Sequence, residues 1–299
     1  MKIKVNRFLM EIMIQDSLRG TRKLRKKYPP HGEFEERIDV NYMGDSEHRH
    51  SFDIFHAKEN IKNIVIIDIH GGSYMYGDHL DNYVFGIPFL REGFDFITVD
   101  YIPNDGKRNT KDLLDDCAKC LSYIFSHQKE LNIEGKRFAI TGDSAGGHLA
   151  LTMAEALCDK EYAKLLGYEF PDIKLIACLV NCPVYDFLHV GDGFLTNSGM
   201  KRMFGPNYKD TNSFALICPR VHLDSLTCPV FTSTSSQDFL RFHSLWLQED
   251  MEARSHNFEI VDIQTKEKGV GHVHNVLHPN EPYGIKVNKA MMDFILKNQ

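Results

Sequence analysis

The chain lacks the features that mark several protein classes. No run approaches the roughly eighteen apolar residues of a membrane-spanning helix. Basic residues are not in excess: 35 Lys and Arg against 41 Asp and Glu leave a net charge of -6, which gives no general pull toward nucleic acid or anionic membrane. The one basic run, Arg19, Arg22, Lys23, Arg25, Lys26 and Lys27, reads as a solvated helix face or linker. Seven cysteines, an odd number without close regular spacing, exclude a disulfide scaffold. Cys117 and Cys120 form a C-x-x-C inside an amphipathic helical stretch with no second pair, so packing is the better reading than redox or zinc chemistry. Cys158, Cys178, Cys182 and Cys218 lie in apolar runs, where a reduced thiol behaves as a small hydrophobe. Together they point to a reducing cytoplasm. Internal repeats and low-complexity tracts are also missing.

The N-terminal stretch has the charges of a signal peptide, Lys2, Lys4 and Arg7, but Glu11 and Asp16 interrupt its apolar part and no small-residue cleavage site follows. Val5, Phe8, Leu9, Ile12 and Met13 recur at helical spacing instead, predicting an amphipathic helical segment over 1–28. Its expected role is packing on the domain, with a lid near a site as the sharper alternative.

What the chain does contain is an alternation. Glu36 to Tyr42 and Ser51 to His56 read as two strands joined by a turn around Gly44-Asp45. Ile64 to Ile69 is a nearly continuous apolar run, as expected of a strand buried on both faces. A helix over about Leu80–Arg91, a strand over Phe94–Tyr101 and a helix over Asp112–Leu131 follow. Then come a strand over Arg137–Thr141, a helix over Ala145–Cys158, and strands over Ile173–Val180 and Cys228–Thr232. A helix over Leu245–Arg254, a strand over Phe258–Ile263 and a helix over Ile285–Leu296 complete the pattern. Such alternation implies an α/β protein: one domain over 1–299, its mostly parallel, twisted sheet flanked by helices, with a hairpin at one edge. Between Phe187 and His222 the rhythm breaks, predicting a small cap insertion over 187–222.

The strongest chemical signal is Gly142-Asp143-Ser144-Ala145-Gly146, a G-x-S-x-G between a buried strand and a helix. A serine on that turn is held strained and exposed above the sheet edge, beside the positive end of the helix. Upstream, His70-Gly71-Gly72-Ser73 follows a strand directly, and its adjacent glycines let backbone N–H groups face a ligand. A serine hydroxyl is a poor nucleophile at neutral pH and needs a base with an orienting carboxylate. Asp238 follows one late strand and His272 follows the last, both on the edge where such sheets bind ligands. His272, His274 and His278 cluster in sequence, but no H-E-x-x-H or carboxylate-rich motif accompanies them, so neither a metal nor another cofactor is expected.

These residues resemble the hormone-sensitive-lipase-like branch of the α/β-hydrolases, which includes many bacterial carboxylesterases and acetylesterases. The likeness runs from about Ile64 to Phe294. It is carried by His70-Gly71-Gly72, Val99-Asp100-Tyr101, Gly142 to Gly147, Ser236-Gln237-Asp238 with Phe239, and Gly271-His272. It implies the α/β-hydrolase fold, a triad of Ser144, Asp238 and His272, an oxyanion hole from the N–H groups of Gly71, Gly72 and Ala145, and His70 bracing that loop. The chain departs from the family where Ser73 replaces a third glycine, which is expected to narrow the pocket, and where Ile102 replaces an arginine. The implied activity is hydrolysis of small carboxylic esters through an acyl-enzyme, with a small-molecule ester as partner and no nucleic acid. An amidase, arylformamidase or peptidase would use the same triad. A non-catalytic homologue would usually lack a triad member, and all three positions are filled. No sequence feature indicates an oligomeric state.

Overall fold

The computed structural model describes residues 7–27, 32–59, 61–189 and 196–299. In chain order these form α1 (Arg7–Lys27), β1 (Glu35–Asn41), β2 (Ser51–His56), β3 (Ile64–Ile69), α2 (Tyr83–Arg91), β4 (Asp95–Val99) and α3 (Thr110–Ser126). There follow β5 (Arg137–Asp143), α4 (Ala145–Cys158), α5 (Lys160–Leu166), β6 (Leu175–Asn181), α6 (Asn197–Phe204), α7 (Thr211–Leu216) and α8 (Pro219–His222). The chain closes with β7 (Val230–Ser235), α9 (Arg241–Ala253), β8 (Phe258–Ile263), α10 (His274–Leu277) and α11 (Pro282–Lys297).

Among the described residues the strands make one sheet in the order β1-β2-β4-β3-β5-β6-β7-β8. The β1–β2 and β2–β4 pairs are antiparallel and the others parallel. The expected edge hairpin and mostly parallel sheet are both present. Successive residues of a strand face opposite ways, and β3 shows the consequence: Val65, Ile67 and Ile69 enter the core under α3, α4 and α9, while Ile64 and Ile66 enter the one under α2 and α11.

Several boundaries differ from the sequence expectation, and α3, α2 and the added α5 show the physical reasons. α3 begins at a capping box between Asn109 and Asp112 and stops at Ser126, five residues early. Leu131 is still fully buried, on a turn closed by Leu131 N–H to His127 O at 3.0 Å, so its apolar character reflected the core and not the helix. α2 starts at Tyr83 because Asp78 and Leu80 are held in turns. The unexpected α5 is capped by the Asp159 carboxylate and ended by Gly167 at φ 81°.

The predicted N-terminal helix is present over Arg7–Lys27, the rest of 1–28 lying outside the described residues. Met10 and Ile14 are buried, and Glu11 pairs with Arg202 of α6 at 2.7 Å, so α1 packs on the 187–222 segment. Of that segment, 190–195 lie outside the described residues and the remainder carries α6, α7 and α8.

Candidate active site

The turn from β5 into α4 places Ser144. Its backbone sits at φ 54°, ψ -117°, a conformation an L-residue adopts only when its surroundings enforce it. The enforcement is visible: Ser144 N–H donates to Asn181 O at 2.9 Å, and its carbonyl accepts from Val184 N–H at 3.1 Å. Gly146 lets α4 lie against β3, because a Cβ there would collide with the carbonyls of Ile69 and His70.

Asp238 follows β7 and His272 follows β8, and both reach the serine. His272 Nε2 lies 2.8 Å from Ser144 Oγ, and Nδ1 lies 2.7 Å from Asp238 Oδ1. Asp238 Oδ1 also accepts from Leu240 N–H at 2.9 Å, and Oδ2 from the Thr234 hydroxyl at 2.8 Å. Burial alone would push the Asp238 carboxyl up, but the hydrogen bond and charge of His272, with these other donors, hold it below the usual carboxylate range. The Asp238 side chain is wholly buried and that of His272 is 18% exposed, so the imidazole lies nearer the surface with the carboxylate behind it. The largely exposed ring of Phe239 lies against His272, centroids 4.4 Å apart.

The loop after β3 completes the site and requires one correction. Gly71 N–H donates to Asp143 Oδ1 at 3.0 Å, so it is not a free oxyanion donor. Its role is to tie the loop to the serine elbow. Gly72 makes no hydrogen bond through its N–H among the described residues, and Ala145 opens α4, where the N–H has no intrahelical acceptor. Gly72, at φ 114°, has no room for a side chain: a Cβ would strike Tyr76 O. His70 braces the loop through Nδ1 to Gly71 O at 2.7 Å, stacks on Tyr101 at 4.3 Å, and turns Nε2 toward Asp100 at 3.3 Å.

Several supporting residues carried no sequence motif. Asn82 donates to both Asp143 Oδ1 (2.8 Å) and Asp68 Oδ2 (2.9 Å). Burial raises both carboxyls, and for Asp68 the neighbouring Asp143 charge adds to the effect. Asn181 Oδ1 accepts from Ser233 at 2.7 Å and Asn275 at 2.8 Å, joining the ends of β6 and β7 to the start of α10. Cys182 Sγ accepts from Val273 N–H at 3.2 Å. Two left-handed backbones, at φ 48° and 49°, thus meet beside His272.

The histidines near His272 do not converge on it. His274 is buried in α10, while the ligating atoms grouped with His272 belong to Cys182 and Asp238. Asp238 is already engaged with His272, and His272 with Ser144, a chain of hydrogen bonds that ends on a hydroxyl.

A model of the BD-FAE family matches residues 52–241, more than half of the chain. No curated protein matches by sequence. Esterase B from Lactobacillus rhamnosis, inhibited by a C6-C4 SN3 compound, superimposes with a TM-score of 0.81 at 19% identity, over 96% of this chain and 95% of that one. A truncated carbohydrate esterase from gut microbiota gives 0.71 at 17% identity, over 90% and 99%. A bacterial heroin esterase gives 0.70 at 19% identity, over 95% and 92%. The family match and the superpositions place the chain plainly: it belongs to the BD-FAE family and shares the fold of these esterases.

Proposed function

We propose that the protein hydrolyses small carboxylic esters, with Ser144 as nucleophile, His272 as general base and acid, and Asp238 orienting and balancing the imidazole. The observation that carries this reading is the unbroken relay from Asp238 through His272 to a serine held in a strained elbow. In the forward step Ser144 Oγ attacks the ester carbonyl while His272 Nε2 takes its proton. The tetrahedral oxyanion falls to the N–H groups of Gly72 and Ala145. His272 then returns the proton to the leaving alcohol, and a water repeats the sequence on the acyl-enzyme.

The preferred acyl group is short, about two to four carbons. Tyr74, His148, Phe187, Phe204 and Phe214 are all buried and pack ring on ring, with His148 one turn along α4 from Ser144 and Tyr74 next to Ser73. This cluster fills the space beside the elbow, with Phe187 and the helices of 187–222 acting as a small cap. Steady-state assay of matched p-nitrophenyl esters and p-nitroanilides tests the class of bond. Ester turnover at least a hundredfold above that of the anilide supports an esterase; the reverse order assigns the same triad to an amidase.

A further inference from the structure

His79 lies between β3 and α2, is 7% exposed, and takes no part in the relay at Ser144. Its Nδ1 is 3.0 Å from Asp100 Oδ2, which fixes the ring and turns Nε2 toward two other carboxylates. Nε2 is 3.4 Å from Asp39 Oδ1 and 3.4 Å from Asp53 Oδ1. These separations exceed the roughly 2.7–3.2 Å of a hydrogen bond. Nε2 and the second Asp53 oxygen are buried with no hydrogen-bond partner among the described residues. Asp39 reaches the cluster because the β1–β2 register shifts between Arg37 and Val40, with Asp39 itself at φ 53°.

We propose that Asp39, Asp53 and His79 form a binding site for one divalent transition-metal ion of the Zn2+ class. Ligand atoms at Zn–N and Zn–O distances of about 2.0–2.2 Å around a tetrahedral ion stand about 3.3–3.6 Å apart. The two 3.4 Å separations match that spacing, and all three ligand atoms lie within 4.8 Å of one another. One imidazole with two carboxylates is a donor set for zinc, cobalt or manganese. Asp100 supplies the carboxylate that metal-bound histidines characteristically engage through their other nitrogen. The Asp39 side chain is 73% exposed, which leaves the fourth position to water. The ion joins β1 and β2 to the segment after β3. Through Asp100 and His70 it bears on the oxyanion loop, so its role is structural.

The rival occupant is a proton on His79, and calorimetry separates the two. The full chain, stripped with a chelator and exchanged, is titrated with Zn2+ and, for spectroscopy, with Co2+. One equivalent should bind, and saturating Zn2+ should raise Tm by at least about 4 °C. Asp39→Ala and Asp53→Asn should each weaken binding at least about tenfold. The bound Co2+ should show no thiolate-to-cobalt charge-transfer band, which distinguishes this site from Cys182 beside His272. If Asp53→Asn fails to fold, the exposed Asp39→Ala with His79→Gln carries the comparison. Absence of saturable binding at millimolar Zn2+, undiminished affinity in Asp39→Ala, or a thiolate band would each overturn the proposal.

Discussion

Replacing Asp238 with Asn should slow the enzyme by about 10² to 10³ in kcat, with the histidine tautomer preserved. In a serine protease the equivalent change costs about 10⁴, because the amide forces the imidazole into the wrong tautomer. The hydrogen bonds around Asp238 are distributed so that this penalty is avoided. Both obligate donors, His272 Nδ1–H and Leu240 N–H, converge on Oδ1. Oδ2 faces the Thr234 hydroxyl, which can rotate and become an acceptor. An Asn side chain therefore keeps its oxygen toward His272 and directs its NH2 at Thr234. What is lost is the negative charge opposite the imidazolium that forms as Ser144 attacks. Two unit charges about 4 Å apart at an effective dielectric near 20 interact by about 4 kcal/mol. Each 1.36 kcal/mol is tenfold in rate, so about 10³ is the ceiling, and water at the half-open mouth reduces it. The assay is kcat for p-nitrophenyl butyrate across pH, beside Asp238→Ala, which also removes the acceptor and should lose at least about 10⁴. A loss of 10⁴ or more in Asp238→Asn, with activity recovering at high pH, would mark an inverted tautomer and show that Thr234 does not hold the amide in this orientation.

Other outcomes follow from the same geometry. His272→Ala should lose several orders of magnitude in kcat, whereas His274→Phe should change it by about tenfold or less. The reason is that the buried His274 ring makes no side-chain hydrogen bond among the described residues; the same ester assay on both variants decides this, and a dead His274→Phe with an active His272→Ala would exchange the roles. In an acyl series, each methylene that fits should add roughly 0.8 kcal/mol, and kcat/KM should stop rising after butyrate; a steady rise to octanoate would contradict the filled aromatic cluster. Burial would raise Asp100, but His70, His79 and Arg49 outweigh it and hold its carboxyl well below the usual range. Its contribution to stability is therefore present above the unfolded carboxylate pKa of about 4 and lost as pH falls below it. Urea midpoints measured from pH 7 to pH 3 should drop steeply below about pH 4 in the native chain and less so in Asp100→Asn; equal slopes would remove Asp100 from the acid response.

The sequence was most legible where period and chemistry agreed. β3 was readable because a strand covered on both faces is apolar at nearly every position, Asp68 alone excepted, and α4 because the glycine-flanked serine marks its start. β7 was only half readable. Its last four residues, Thr232, Ser233, Thr234 and Ser235, are polar by composition yet buried, because their hydroxyls bond Val180 O, Asn181 Oδ1, Asp238 Oδ2 and Val270 O. No hydrophobic pattern reveals a strand whose side chains are satisfied by the site they support. α5 had signals, an Asp at its N-cap and a Gly just past its end, but seven residues are too short to establish a period. The Gly71 correction has a similar origin. Adjacent glycines show that backbone N–H groups are free to turn, but which one is left without a partner depends on Asp143, 72 residues away in sequence. The same holds for Asn82, Asn181 and Asp53, whose partners are brought together only by the sheet order.

Acylation of Ser144 during turnover is read out by intact-protein mass spectrometry with peptide mapping. Reaction with one equivalent of a fluorophosphonate, or rapid quenching during turnover of a slow ester, should add a single group to the peptide carrying Gly142 to Gly147. Ser144→Ala should remain folded, take up none of the label, and lose on the order of 10⁵ to 10⁶ in kcat. An adduct on another residue, or a Ser144→Ala variant keeping more than about a tenth of the activity, would contradict the account.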